Sequence, residues 1–308
     1  MNLTQLLEFC RTEGVTFAEQ EPLKKHTTFQ IGGNADLMVW PEDEEGLAAL
    51  LALAEESAVP VMVIGKGSNL LCSDEGFRGM VVCLSQNFSG VQLLEDGVSL
   101  YAKAGTPLSQ LCFFALEHSL EGLEFAYGIP GTVGGAVFMN AGAYGGEMKD
   151  VLSRASHLDP QHKPGTFNRE QLDLSYRHSA YSDGGYIITG AAVTLQKGDA
   201  QAIHARMEDF MSRRREKQPL ECPSAGSTFK RPVGGYASAL IDQCGLKGCS
   251  VGGALVSPKH AGFVVSDGTA TAADVLALVA KIQQEVAEKT GFHLECEIRR
   301  VGQGLCEK

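Results

Sequence analysis

Residues Tyr127–Glu147, YGIPGTVGGAVFMNAGAYGGE, carry seven glycines among mostly small side chains. Glycine gives up more backbone freedom on folding than any other residue, so such a density suits a chain that must take positive φ or let its backbone touch something directly. A tight-turn cluster in a twisted sheet would also draw glycines. The functional alternative is a cradle whose backbone amides, with the Asn140 side chain, hydrogen-bond phosphates or a planar heterocycle. A second glycine turn lies upstream: Pro60–Leu71, PVMVIGKGSNLL, runs from an apolar strand-like segment into Gly65-Lys66-Gly67-Ser68-Asn69 and back to apolar residues. It is neither a GxGxxG opening a helix nor a GxxxxGK[ST] loop, which weighs against Rossmann and P-loop folds.

The 308 residues are enough for two or three domains, and 44% hydrophobic with 20% charged residues reads as an ordinary globular composition. Lysine and arginine number 26 against 37 acids, a net charge of -11. That argues against nucleic acid as a partner and leaves room for a locally basic pocket for a small anion. The N-terminus lacks the basic and apolar regions of a signal peptide, and there is no apolar run of membrane-spanning length, so a cytoplasmic location without membrane attachment is expected. The nine cysteines are scattered without a CxxC pair. They read as reduced thiols, and no metal site is expected.

In chain order, the spacing predicts an amphipathic helix over 3–13, a polar strand over Lys25–Gly33, a strand over Ala35–Trp40, a helix from Pro41 to about Ser57 with acids in its first turn, and a strand Val59–Ile64. This β-α-β rhythm forms a small α/β unit over residues 1–78. From Gly79 to Lys217 short strands dominate: Met80–Leu84, Val91–Leu94, Val98–Lys103, Val151–Leu158 and Tyr186–Leu195, with helices at Thr106–His118 and Ala200–Lys217. Pro219 and Pro223 mark a boundary. Residues 218–308 read as a compact α+β domain: a short helix Ser238–Cys244, a strand Ala261–Val265, a long amphipathic helix Thr271–Thr290 and a final strand His293–Arg299.

Three places hold candidate chemistry. Pro223–Pro232, PSAGSTFKRP, sets hydroxyls beside cations, so that Ser227 can pass on a proton while Lys230 or Arg231 holds an anion; a solvated Ser/Gly loop is the plainer alternative. Ser175–Ser179, SYRHS, carries Arg177, a surface residue or a carboxylate partner. In Leu294–Ile298, LECEI, Glu295 and Glu297 share one face of a strand, where acids are usually solvated unless one is a buried proton donor.

Taken in order, GKGSNLL, GIPGTVGGAVFMNAGAYGGE, SYRHS, PSAGSTFKRP, LKGCSVGGALVSPKHAGFVV and LECEIR resemble the UDP-N-acetylenolpyruvoylglucosamine reductases, also called UDP-N-acetylmuramate dehydrogenases, over nearly the whole chain. The resemblance implies an α+β fold in which a two-part FAD-binding region of the vanillyl-alcohol-oxidase type (1–78 and 79–217) precedes a C-terminal substrate-binding domain (218–308). It implies noncovalent FAD, NADPH as hydride donor, and reduction of the enolpyruvyl group of UDP-N-acetylglucosamine enolpyruvate in peptidoglycan precursor synthesis, by a monomer. Cofactor contacts then fall on Gly65, Lys66, Gly67, Ser68, Asn69, Leu70, Gly128, Pro130, Gly131, Thr132, Gly134, Gly135, Asn140, Gly142 and Ala143. Ser227 takes the place of the proton donor, with Arg177 and Glu297 stabilising the enolate-like intermediate. Tyr176, Lys217, Arg231 and His260 are candidates for gripping the substrate. The short run from Tyr176 to Tyr186 resembles the subtype without the extra substrate-covering tyrosine loop.

Two other readings are weighed against this one. An FAD-dependent sugar or alcohol oxidase of the same fold often links its flavin to His or Cys, and neither residue occurs in Gly65–Asn69 or Tyr127–Glu147. A non-catalytic flavin or nucleotide-sugar binding protein would need the glycine turns but not Ser227, Arg177 and Glu297.

Overall fold

The computed structural model describes residues 3–305. Its chain gathers into two compact units, one from Met1–Glu19, Leu37–Lys66 and Gly79–Arg213, the other from Gln20–Asp36, Gly67–Arg78 and Arg214–Lys308. Each has its own apolar core. The first is built from residues such as Leu6, Leu37, Leu47, Val82, Leu100, Leu111, Val133 and Leu152. The second is built from Phe29, Ile31, Leu71, Phe229, Ile241, Val275 and Ile282.

In the first unit, helices Thr4–Glu13 and Glu44–Glu56 turn Leu6, Cys10, Leu47, Leu50 and Leu51 inward. The second of these helices begins where the Asp43 carboxylate accepts from Gly46 N at 2.8 Å, and Glu44 and Glu45 lie in the first turn, where acids complement the helix dipole. Strand Val61–Ile64 runs parallel to Met80–Cys83, so the strand emerges at Gly65. The larger sheet is antiparallel, with strands ordered Pro164–Asn168, Leu152–Leu158, Ile187–Thr194, Ser99–Lys103 and Val91–Leu93. Its central strand Ile187–Thr194 is buried over most of its length, as flanking by two strands and a covered face require.

The second unit packs helix Ala272–Thr290 near a three-stranded sheet of Ser250–Val251, Ala254–Val256 and Val264–Ser266. Thr271 and Asp274 form a reciprocal capping box at the start of that helix, and Gly291 ends it at φ 76. Strand Leu70–Cys72 pairs in parallel with Arg299–Val301. No helix among the described residues is long and apolar enough to cross a membrane, and none of their His, Cys, Asp and Glu side chains cluster as metal ligands.

Two expected strands do not form as read. Lys25–Gly33 is a 3-10 turn, Leu23–His26, followed by irregular chain with Phe29 and Ile31 buried. Its polar residues are tied locally, as in the His26–Glu21 contact of 3.0 Å, instead of alternating along a ladder. The strand His293–Arg299 shrinks to a single bridge at Cys296 and the strand Arg299–Val301, because Lys230 N donates to Glu295 O and Glu297 N to Thr228 O over only one short step.

Candidate active site

The strand Val61–Ile64 delivers Gly65 beside Thr132: a Cβ on Gly65 would overlap Thr132 Oγ1. The two glycine stretches therefore meet inside the first unit. Thr132 caps the short helix Val133–Phe138, which the glycine content had hidden, and its side chain accepts from Gly135 N at 3.4 Å. Val133 N and Gly134 N are committed to Thr106 O and Ala104 O. Among the described residues nothing accepts from the backbone N–H groups of Lys66, Gly131 or Thr132, although Thr132 is buried. Gly131 is half-buried and Lys66 exposed, but an unaccepted donor on a buried residue such as Thr132 is rare in folded proteins, and phosphate oxygens would complete it. The donor set thus fits a diphosphate-containing cofactor such as FAD.

Gly67 belongs to the second unit and has a different reason to be glycine. Its φ is +59, and a Cβ there would overlap His26 O. Asn69 donates from its side chain to Glu297 O at 3.1 Å, while Asn69 O accepts from Arg299 N. Leu70 enters the parallel pair with Arg299–Val301.

Further along, Gly142–Ala143 pairs with Gly146–Glu147 as a tight hairpin. Asn140, only 1% exposed, donates to Glu147 Oε2 at 2.8 Å and to Ser175 O at 2.9 Å and accepts from Lys149 N at 2.9 Å. Both amide hydrogens of Asn140 are therefore held by protein acceptors. At the other end, buried Glu124 accepts from Gly122 N at 2.9 Å and from Arg206 at 2.6 Å, securing the turn that leads into Tyr127.

Ser175 and His178 exchange both backbone hydrogen bonds at 3.2 Å, which puts Tyr176 and Arg177 at the tip of a two-residue turn. Arg177 sits at φ 55, a value that turns of this kind usually give to Gly or Asn. Its guanidinium lies 5.1 Å from the centre of the exposed Tyr176 ring. Such backbone strain, on the order of 1–3 kcal/mol, concentrates at functional sites.

In the second unit, Thr228 organises the other candidates. Its N donates to Gly262 O, its Oγ1 accepts from Val264 N at 3.0 Å, and its O accepts from Glu297 N at 2.9 Å. Ser227 is the next residue back along the chain. Sequence reasoning passed over Thr228, since a threonine beside a candidate serine carries no signal of its own. Glu295, by contrast, is exposed and pairs with Lys230 at 3.4 Å.

Of the proposed substrate contacts, exposed Arg231 stacks 4.0 Å from the Tyr236 ring centre. Lys217 is exposed in the last turn of helix Ala200–Lys217. His260 accepts from Gly262 N through Nδ1 at 3.1 Å, leaving the proton on Nε2, and burial lowers its pKa. It is thus a neutral donor at pH 7, not a cation.

Residues 35–161 match the family described as FAD binding domain, and residues 218–301 match the C-terminal domain of UDP-N-acetylenolpyruvoylglucosamine reductase. These matches define an FAD-dependent oxidoreductase with an FAD binding domain followed by a reductase C-terminal domain. A UDP-N-acetylenolpyruvoylglucosamine reductase of Syntrophomonas wolfei is 44% identical over 97% of this chain and 99% of its own. One of Lachnoclostridium phytofermentans is 47% identical over 98% of this chain and 97% of its own. The crystal structure of UDP-N-acetylenolpyruvylglucosamine reductase from Thermus caldophilus superposes with a TM-score of 0.78 at 35% identity, covering 93% of this chain and 98% of that one. The chain belongs to the UDP-N-acetylenolpyruvoylglucosamine reductase family. A variant of berberine bridge enzyme, a reticuline dehydrogenase, shares the fold alone, with a TM-score of 0.50 at 15% identity over 63% of this chain and 44% of its own.

Proposed function

We propose that this chain uses NADPH to reduce the enolpyruvyl group of UDP-N-acetylglucosamine enolpyruvate to UDP-N-acetylmuramate, a step of peptidoglycan precursor synthesis in the cytoplasm. The glycine turns at Gly65–Asn69 and Gly128–Ala143 would hold FAD noncovalently, and the bound flavin would supply hydride transfer from NADPH to one alkene carbon. The chain's own residues supply the rest. Ser227 donates a proton to the other alkene carbon, so that hydrogen adds across the double bond. Arg177 and Glu297 stabilise the enolate-like charge that builds toward the carboxylate between the two transfers.

The observation that carries this reading is the pairing of Glu297 N with Thr228 O, which fixes two of the three candidates on adjoining backbone in one unit. The unaccepted donors at Lys66, Gly131 and Thr132 support cofactor diphosphate binding at the glycine turns. Arg231, Lys217, Tyr176 and the neutral His260 would contact the substrate. A three-part division at residues 78 and 217, a monomeric state, and the subtype without an extra tyrosine loop belong to the same reading.

Separating the two half-reactions tests it. Ser227→Ala should leave flavin reduction by NADPH nearly intact and slow reoxidation by the enolpyruvyl sugar by roughly 10²–10⁴-fold, the usual span for general acid catalysis. Ser227→Cys, which keeps a donor, should recover part of the loss. Equal slowing of both halves in stopped flow would make Ser227 a shaper of the shared site, and unslowed reoxidation would remove it as the acid.

A further inference from the structure

Asn140 lies within the glycine stretch, and its side chain is fully occupied by protein partners on three sides. One amide hydrogen goes to Glu147 Oε2 and the other to Ser175 O, and Oδ1 accepts from Lys149 N. Its backbone sits at φ 40, a conformation that asparagine tolerates better than most residues. Glu147 is itself fixed, since it forms a capping box with Asp150 and lies 3.1 Å from Lys149 Nζ. A second tether runs beside the first: Ser179 Oγ donates to Phe138 O at 2.8 Å. The segment between these tethers is the turn that presents Tyr176 and Arg177.

We propose that Asn140 is a positioning residue, whose buried carboxamide ties the hairpin Gly142–Glu147 to the Ser175–His178 turn and so holds the strained Arg177 tip in place. The inference rests on Arg177 acting in the second half-reaction. The two mutual hydrogen bonds and the Ser179 tether fix the ends of the turn, and relaxation of the Arg177 backbone toward negative φ would carry its guanidinium away from where charge develops. The Asn140 bond to Ser175 O opposes that relaxation from outside the turn. Serine or alanine at 140 would lose both the reach to Ser175 and the ease of positive φ.

The flavin-loaded Asn140→Asp protein tests this, because the carboxylate keeps the shape but cannot donate, and it faces Glu147 with like charge. Three quantities are measured: amide hydrogen exchange at Ser175 and His178, the rate of each half-reaction, and the FAD dissociation constant. Exchange at both amides should quicken by about tenfold, the scale of losing one to two net hydrogen bonds. Reoxidation by the sugar should slow by about tenfold more than flavin reduction does. In the Arg177→Ala background, Asn140→Asp should add little further slowing, because the two residues act as one unit. Asn140→Gly, which accepts the φ and removes the side chain, repeats the test if the aspartate variant does not fold. Unchanged exchange together with weakened FAD binding would overturn the proposal in favour of direct cofactor contact. Full additivity with Arg177→Ala would also overturn it. If Arg177→Ala alone leaves reoxidation unaffected, the catalytic role of Arg177 fails, and the exchange rates still decide whether Asn140 holds the turn.

Discussion

The turn Gly65–Asn69 and the stretch Tyr127–Glu147 are both glycine-rich, but their glycines answer to different neighbours. At Gly65 and Gly67 a Cβ would overlap Thr132 and His26, so the chain itself excludes a side chain there. In the longer stretch Gly134, Gly142 and Gly146 are closed off in the same way by Ala104, Glu147 and Phe125. Gly145 has open space beside it but sits at φ 88, whereas Gly135, in the first turn of helix Val133–Phe138, is exposed with ordinary backbone, and a Cβ there would meet nothing nearer than Thr132 Oγ1 at 3.6 Å. Glycine density therefore marks close packing first and ligand approach only at particular positions. The turn at Gly65–Asn69 is also shared between the two units, whereas Tyr127–Glu147 lies wholly within one.

The largest effect should come from Gly67→Val. Positive φ costs a side chain on the order of 1–2 kcal/mol before any overlap with His26 O is relieved, so the variant should lose much of its folded population whether or not flavin is added. A well-folded Gly67→Val protein with weak flavin binding would return this glycine to the ligand-facing class.

Gly135→Val should behave in the opposite way. A helix position gains or roughly breaks even when glycine is replaced, so Tm should hold within a few degrees. If the cradle faces FAD there, the new side chain should raise the FAD dissociation constant by about tenfold or more, the scale of about 1.4 kcal/mol. Unchanged FAD affinity would place that face of the helix against solvent and erase the contrast between the two stretches.

The smallest effect separates the two units by pH. Burial lowers the pKa of His157 in the first unit and of His260 in the second. The unfolded chain then takes up protons near pH 6.5 that the native state refuses, so each unit should be stable above that pH and lose stability as pH falls through 6.5 toward the depressed native values. Thermal melts from pH 7.5 to 5 check this. His157→Phe, in a cage of Phe167, Tyr181 and Tyr186, should flatten the pH dependence of the first unit and leave that of the second. An identical slope in the variant would assign the acid sensitivity elsewhere.

How much was legible in advance follows the range of the interaction. Helix Glu44–Glu56 could be read from acids in its first turn and its apolar spacing, and the long helix Ala272–Thr290 from its periodicity, because both depend on residues within a few positions of each other. Helix Val133–Phe138 could not: two of its six residues are glycine, and it is held by the Thr132 cap, by backbone acceptors at Ala104 and Thr106 and by core packing of Val133, Ala136 and Val137. Ser227, Arg177 and Glu297 stood out locally only as a hydroxyl beside cations, a single arginine and one of two acids on a strand face, and their roles came from the resemblance of motifs.

Sequence alone determined that the chain carries two glycine turns, an α+β pattern and the motif series of one reductase family, since these reside in residue type and near-neighbour spacing. Only the tertiary structure decided that Asn69 would bond to Glu297, 228 residues away, and that Asn140 would donate to Ser175 O. An asparagine side chain offers the same donors and acceptor to a flavin or to a carbonyl. Which of them it meets is settled by the folded backbone that surrounds it.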